Sequence, residues 1–521
     1  MTAAAMEELP ALLASLPARL SAIPERWAAS TPDAPALHEG GRHWTYAQLR
    51  HSVEDAARLL RELEVRPGDR LMVVGENCAL QVALIFAAAQ IDAWIVNVNA
   101  RLSAREIDTI AAHSTARRVL YLHASSKEAA AHAQRVASTE VTIDGMGELL
   151  AGPLNQSAVA ESTQADNGQV AALIYTTGTT GHPKGVMLTH RNLLFIAAVS
   201  SKLRGLTQYD RAYGVLPISH VYGLASVALG TLYAGAALFL VPRFSVEGLL
   251  SALQDDGLTI VQGVPAMYAK LLQTLGGAGT PLPTQLRFAY AGGSPLAPSL
   301  KKEVEQLLGT ALHNGYGMTE SSPTISQTRL ESPRQDDSVG APIPGVETRI
   351  VDADGVDVAA GLPGELWVRG PNVMAGYYRE PEMTAATMRD GGWLNTGDMA
   401  RQGEDGALFI VGRTKELIIR SGFNVYPLEV ETALNAHPSV VQSAVVGCGT
   451  ADGNEDVVAY VELDPRQPVT LEALQAWLAG TLSPYKCPSA IIVMEALPAA
   501  ATGKILKGQL RQMAQQRHQH R

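Results

Sequence analysis

The sequence predicts an α/β protein: a large N-terminal domain of parallel-sheet βα layers with a small β-barrel-like part, followed by a small α+β C-terminal domain. Three observations carry this. Strands and helices alternate from DRLMVVGEN to GYGMTES. After residue 338 the texture changes to short Val/Ile strands and Gly/Pro turns. Near residues 413 to 415 a second strand–helix order begins. The chain has 521 residues, too many for one ordinary core, which fits an N-terminal domain over 1–412, a β-rich part at about 338–412 and a C-terminal domain over 413–521.

Taken in order, DRLMVVGEN, CALQVALIFAAAQ and AWIVNVN read as one βαβ unit. A polar linker, AGPLNQSAVAESTQADNGQ, precedes the next rounds. VAALI runs through YTTGTTGHPKG into helix RNLLFIAAVSSKL, and RAYGVLP runs through ISH into a helix. ALFLV is followed by SVEGLLSALQ, LTIVQ by GVP and AMYAKLLQTL, LRFAYA by GGSP and SLKKEVEQLLG, and TALHN by GYGMTES. This alternation predicts a parallel sheet buried on both faces, with ligands outside the carboxyl ends of its strands. The loops at Thr176–Lys184, Ser219–His220, Gly263–Pro265, Gly292–Ser294 and Gly315–Glu320 all leave such ends, so they converge on one site.

Composition limits the partners. Lys+Arg of 41 against Asp+Glu of 51 gives a net charge of −10, which disfavours a nucleic-acid or anionic-membrane partner. Cys78, Cys448 and Cys487 are odd in number and widely spaced, so they form neither a disulfide framework nor a metal knuckle, and a reducing, cytoplasmic setting is expected. Glu7 and Glu8 stand where a signal peptide would carry lysines. Val221 to Pro242 carries no charge, but its tyrosines, Ser226, Thr231 and Gly235 favour a buried core segment over a membrane span.

YTTGTTGHPKG, residues 175 to 185, offers what a nucleoside triphosphate needs: glycines for close backbone approach, threonine hydroxyls and one lysine. It fails the Walker A pattern, because Gly185 follows Lys184 where a Ser or Thr would bind Mg²⁺. Further segments follow in order: PISH (217–220), AGGSP (291–295), NGYGMTES (314–321), NTGD (395–398), GRTKELIIRSGFNVYP (412–427) and PAAATGK (498–504). Together with the threonine loop they resemble the adenylate-forming enzymes: acyl-CoA synthetases, peptide-synthetase adenylation domains and beetle luciferase. The resemblance spans nearly the whole chain.

The resemblance implies a two-step reaction with ATP, Mg²⁺ and coenzyme A. A carboxylate and ATP form an acyl-adenylate and pyrophosphate, and a thiol then takes the acyl group. It implies that Thr176, Thr177, Gly178, Thr179, Thr180 and Lys184 hold the β- and γ-phosphates. Thr319 meets a phosphate oxygen and Glu320 is the metal ligand. Gly292, Gly293, Ser294, Asn314, Gly315 and Tyr316 line the adenine pocket. Asp398 and Arg413 contact the ribose, whose two vicinal hydroxyls suit a carboxylate acceptor. Lys504 reaches the acyl carboxylate and α-phosphate in the first step, and Lys415 is the hinge about which a mobile C-terminal domain turns before the second. Ser421, Gly422 and Phe423 resemble the turn lining the pantetheine tunnel, and His220 a gate beside the acyl carboxylate. Ala499 and Ala500 replace the polar and basic pair of many relatives, and His182 departs at a variable position.

No Asp lies between Arg211 and Gln254 to pair with an amino-acid substrate's α-amine, so the acyl pocket is expected to be uncharged. Its candidate walls are Tyr222, Ala225, Gly263, Pro265, Tyr290, Ala291, Met318, Pro323 and Thr324. A fatty or an aromatic acid fits that composition equally. The short stretch after Lys504 leaves no carrier domain, which favours free coenzyme A as the acceptor and a stand-alone carboxylate–CoA ligase acting on small molecules; a monomer or homodimer is expected. A stand-alone adenylation enzyme charging a carrier, a luciferase-like oxygenase and a non-enzymatic nucleotide-binding regulator are the other readings.

Overall fold

A computed structural model describes residues 3–177, 183–420, 423–450, 454–499 and 505–519, without the side chains of 3–8, 177, 518 and 519. The predicted βαβ unit forms as read: strands β1 (Arg70–Gly75) and β2 (Trp94–Asn99) are parallel and joined by helix α1 (Ala79–Gln90). Residues 79 to 89 of α1 are all buried, as expected for a helix apolar on every side.

The structure replaces the single parallel sheet with two mixed sheets. One has eight strands. Its centre is β1, β2, β3 (Arg118–Tyr121) and β4 (Val170–Thr177), in parallel; β5 (Pro183–Thr189) returns antiparallel to β4, and the short strand Gly376–Tyr377 closes that edge. The other has nine strands. Here β6 (Arg211–Gly214), β7 (Ala237–Leu240), β8 (Ile260–Gly263), β9 (Phe288–Ala291) and β10 (Leu312–Gly317) are parallel, and β11 (Thr324–Gln327) turns back along β10. The alternation of strand and helix reports local units; which sheet a strand joins depends on pairings distant in sequence, which the local pattern does not carry.

One hydrophobic core runs through both sheets, α1 and helix α2 (His190–Leu203). Buried Asn77 ties the sheets by donating to the carbonyls of Gly214 (3.0 Å) and Leu216 (2.9 Å). Residues 221 to 240 lie inside this core as a π-helical segment (Tyr222–Leu229), a helical turn (Gly230–Tyr233) and β7, and no described helix is long and apolar enough to cross a membrane.

The β-rich stretch forms a five-stranded antiparallel sheet from β12 (Glu347–Val351), β13 (Gly364–Arg369), the short strand Met388–Arg389, β14 (Trp393–Gln402) and β15 (Leu408–Arg413). Two other short strands of this stretch, Ala341–Pro342 and Gly376–Tyr377, extend the large sheets instead. After a 3₁₀ turn at Thr414–Glu416, the C-terminal region packs helices α3 (Pro427–Asn435), α4 (Leu471–Thr481) and α5 (Lys507–Gln519) with a three-stranded sheet. That sheet comprises β16 (Val440–Gly449), β17 (Glu455–Leu463) and β18 (Ala490–Val493), and the region has its own apolar clusters.

Candidate active site

The threonine loop does not lead from a strand into a helix. Thr176 pairs with Lys184 and Thr177 with Pro183 across the β4–β5 hairpin, and α2 starts only at His190, behind the Thr189 capping box. The Pro-Lys-Gly start of PKGVMLT conceals this strand in the sequence. Thr176 and Lys184 thus face each other on paired antiparallel strands, and the helix that follows begins five residues beyond Gly185. Gly178, Thr179, Thr180 and His182, and the Thr177 side chain, lie outside the described residues.

Lys184 and Glu320 are brought together by a residue that sequence reasoning missed. The Lys184 ammonium lies 5.3 Å from the ring centroid of Tyr377, whose hydroxyl donates to Glu320 Oε1 at 2.7 Å. Burial, and then the Glu320 carboxylate, push the Tyr377 hydroxyl well above its ordinary pKa, so it remains a donor. Glu320 sits beside buried Thr319 in the 3₁₀ turn Thr319–Ser321. Among the described residues no cation is ion-paired with Glu320. One carboxylate oxygen thus stays available in a hard-oxygen setting that suits Mg²⁺.

The proposed nucleoside contacts form a second group. Tyr316 donates its hydroxyl in a short hydrogen bond to Asp398 Oδ2, and Arg413 Nε lies 3.0 Å from Asp398 Oδ1. Asp398 and Arg413 are register partners on β14 and β15. Burial and then Asp398 hold the Tyr316 hydroxyl far above its ordinary pKa, while Asp398 raises that of Arg413. Asp398 N donates to Thr396 Oγ1 at 3.1 Å within the NTGD stretch of β14.

On β10, Asn314 donates to Ser338 O (3.3 Å), and its Oδ1 accepts from Gly315 N (2.9 Å). Gly315 has a steric reason to be glycine, because a Cβ there would run into the Tyr290 hydroxyl. Gly292 is buried against Tyr290 and Tyr222, whereas Gly293, at φ +83°, and Ser294 are exposed at the turn after β9.

Among the residues expected to wall the acyl pocket, Tyr222 is buried, its ring edge-on to Tyr290 at 6.1 Å and its hydroxyl 3.5 Å from Gly263 O; its N–H donates to His220 Nδ1 at 3.3 Å. Pro265 begins the helix after β8, Ala225 lies in the π-helical segment and Ala291 ends β9. Met318 N donates to Pro323 O at 3.0 Å, and Thr324 Oγ1 is 3.4 Å from Ser226 Oγ.

The wall expected to be uncharged has a cation behind it. Arg204, 1% exposed at the end of α2, stacks on Tyr290 at 4.7 Å and donates to Gln262 Oε1 at 2.7 Å; among the described residues it has no carboxylate partner. Nothing local in the sequence signals the burial of Arg204.

Lys415 is exposed in the 3₁₀ turn, while neighbouring Glu416 is ion-paired with Lys507 (2.9 Å), which also meets Glu431 (2.8 Å). Phe423 is exposed and stacks on Tyr485 at 4.7 Å. Ser421, Gly422, Ala500 and Lys504 lie outside the described residues.

Residues 24–378 match the AMP-binding enzyme family, and residues 429–504 match the AMP-binding enzyme C-terminal domain. The chain belongs to the AMP-binding enzyme family. Among its relatives, a feruloyl-CoA synthase from Amycolatopsis is 35% identical, with 93% of this chain and 97% of the relative covered. A 4-coumarate–CoA ligase from Oryza sativa is 33% identical over 93% and 90%. ATP-bound MatB from Rhodopseudomonas palustris superimposes with a TM-score of 0.83 at 29% identity, covering 95% of this chain and 98% of that one. The o-succinylbenzoate CoA synthetase MenE from Bacillus subtilis, in complex with its acyl-adenylate, gives 0.81 at 29%, covering 94% and 97%. This AMP-binding enzyme is an acid–thiol ligase of the adenylate-forming type that uses ATP, Mg²⁺ and coenzyme A.

Proposed function

We propose that this AMP-binding enzyme activates an aromatic acid of the arylpropenoate class and transfers it to free coenzyme A. The observation carrying this reading is the buried edge-to-face pair Tyr222–Tyr290, with the Tyr222 hydroxyl 3.5 Å from Gly263 O, which makes the surroundings of the expected acyl pocket aromatic. The names of the feruloyl- and coumarate-activating relatives support the same class.

In the first half-reaction the substrate carboxylate oxygen attacks the α-phosphorus of ATP, and the bond to the pyrophosphate oxygen breaks. Thr176, Thr177, Gly178, Thr179, Thr180 and Lys184 hold the leaving phosphates. Lys504, from the C-terminal domain, offsets the charge of carboxylate and α-phosphate as they approach. Glu320 would hold Mg²⁺, which supplies charge screening at the phosphates when bound. Thr319 meets a phosphate oxygen. Tyr316, Gly292, Gly293, Ser294, Asn314 and Gly315 frame the adenine, with Asp398 accepting from the ribose hydroxyls and Arg413 beside it. His220 borders the acyl carboxylate, with Met318, Pro323, Thr324 and Ala291 completing the pocket.

In the second half-reaction the coenzyme A thiolate attacks the acyl carbon and AMP leaves with the former carboxylate oxygen. A domain boundary at 412/413 and a hinge at Lys415 let the C-terminal domain turn between steps, bringing Ser421, Gly422 and Phe423 to the thiol path. The scarcity of cysteine supports a reducing, cytoplasmic setting.

The test is a panel of cinnamates, benzoates and medium and long fatty acids with ATP and coenzyme A, the thioester detected by mass. The reading expects kcat/KM to be highest for a ring-substituted cinnamate. A medium- or long-chain fatty acid outrunning every aromatic acid would overturn the substrate class.

A further inference from the structure

Tyr377 spans two groups assigned to the same triphosphate. Its hydroxyl donates to Glu320 Oε1 at 2.7 Å, and its ring faces the Lys184 ammonium at 5.3 Å, within cation–π range. The segment around it is fixed on both sides by backbone bonds. Met374 N donates to Glu320 O at 2.9 Å, Ala375 N to Met187 O at 3.0 Å and Tyr378 N to Gly185 O at 2.8 Å, and Tyr377 is the register partner of Val186 on β5. Tyr377 N donates to Thr384 Oγ1 at 2.9 Å, and the side chain is 5% exposed. A short strand therefore sets the distance between the turn bearing Glu320 and the hairpin bearing Lys184, which belong to different sheets.

We propose that Tyr377 is the positioning residue of the metal–triphosphate site: its hydroxyl orients Glu320 so that the second carboxylate oxygen faces the divalent cation, and its ring holds Lys184 toward the phosphates. A hydrogen bond to one oxygen of a ligating carboxylate fixes its rotamer and tunes its basicity; loss of such outer-shell partners costs metal affinity roughly 10- to 100-fold. The two parts of the side chain are separable, because phenylalanine keeps the ring and leucine keeps neither. The inference rests on the proposed assignments of Glu320 and Lys184.

The experiment is an equilibrium titration of the full chain with Mn²⁺ at saturating α,β-methylene-ATP, without acid or coenzyme A, read from the electron paramagnetic resonance of free Mn²⁺. Tyr377→Phe is expected to weaken Mn²⁺ by about tenfold or more and to leave affinity for the metal-free nucleotide unchanged. Tyr377→Leu is expected to weaken both. Wild-type Mn²⁺ affinity in Tyr377→Phe, with Glu320→Gln clearly weakened, overturns the role of the tyrosine. Wild-type affinity in Glu320→Gln overturns the assignment of the metal ligand beneath it. Wild-type affinity for the metal-free nucleotide in Tyr377→Leu overturns the role of the ring; if that variant does not fold, Tyr377→Met is read in its place, while the phenylalanine variant decides the role of the hydroxyl.

Discussion

Asp398 and Arg413 face each other as register partners on adjacent antiparallel strands, 3.0 Å apart from carboxylate to guanidinium, with the Tyr316 hydroxyl on the other carboxylate oxygen. The pair puts an oriented carboxylate at the end of the large domain and its counter-charge two residues before the proposed hinge. Asp398→Asn removes the anionic acceptor while keeping the shape. We expect kcat/KM for ATP in pyrophosphate exchange to fall roughly 10- to 100-fold, the scale of hydrogen bonds to a charged group. The variant should also lose the wild-type preference for ATP over 2′-deoxy-ATP, as competition between the two nucleotides measures.

The two half-reactions should separate by mutation. Lys504→Ala is expected to abolish adenylation and largely spare thioester formation from supplied acyl-adenylate. Lys415→Pro is expected to do the reverse, because a fixed φ at the turn restricts rotation. Rapid-quench assays of each half-reaction measure both; equal loss of the two in either variant counts against domain alternation.

Gly315→Ala should destabilise the protein by about 1–3 kcal/mol, since its Cβ would meet the Tyr290 hydroxyl and Ser326 O. Adding Tyr290→Phe removes the nearer obstacle and should recover part of that loss. A double-mutant cycle in urea reads the coupling, and strict additivity would contradict the steric account.

Stability should fall on mild acidification. Burial lowers the pKa of His190 to about 3 and, with smaller charge effects, those of His38 and His313 to about 4. Their folded values lie below the unfolded value near 6.5, so the unfolded chain binds more protons between those limits. Stability is then complete above about pH 6.5 and declines as pH falls towards 4. His190 Nδ1 accepts from Leu20 N at 3.2 Å, an interaction that His190→Asn can imitate without titrating. The Tm of the asparagine variant should therefore vary less with pH than that of the wild type.

The legible parts of this fold were local. The βαβ unit, the β-rich stretch and the C-terminal order follow from period and punctuation, and Asp398, Tyr316 and Glu320 stood out within short ordered segments. What escaped depended on distant pairing. β5 is concealed by the Pro-Lys-Gly at its start and is a strand because Met187 and Val186 pair with Leu173 and Ile174. Tyr377 is one of two tyrosines in GYYREP, and only the pairing of Gly376–Tyr377 with β5 turns it toward Glu320. Arg204 is buried at the end of α2, a helix whose residues 193–199 belong to the common core, a fact its neighbours Leu203 and Gly205 do not announce.

The central claim is that the carboxylate attacks the α-phosphorus of ATP and the acyl group then passes to sulfur. Turnover of a carboxyl-¹⁸O-labelled cinnamate with ATP and coenzyme A tests this directly by mass spectrometry of the nucleotide and phosphate products. The account predicts one ¹⁸O in AMP and none in pyrophosphate, with unlabelled pyrophosphate formed before coenzyme A is added. Label in inorganic phosphate, with ADP as the nucleotide product, would contradict it.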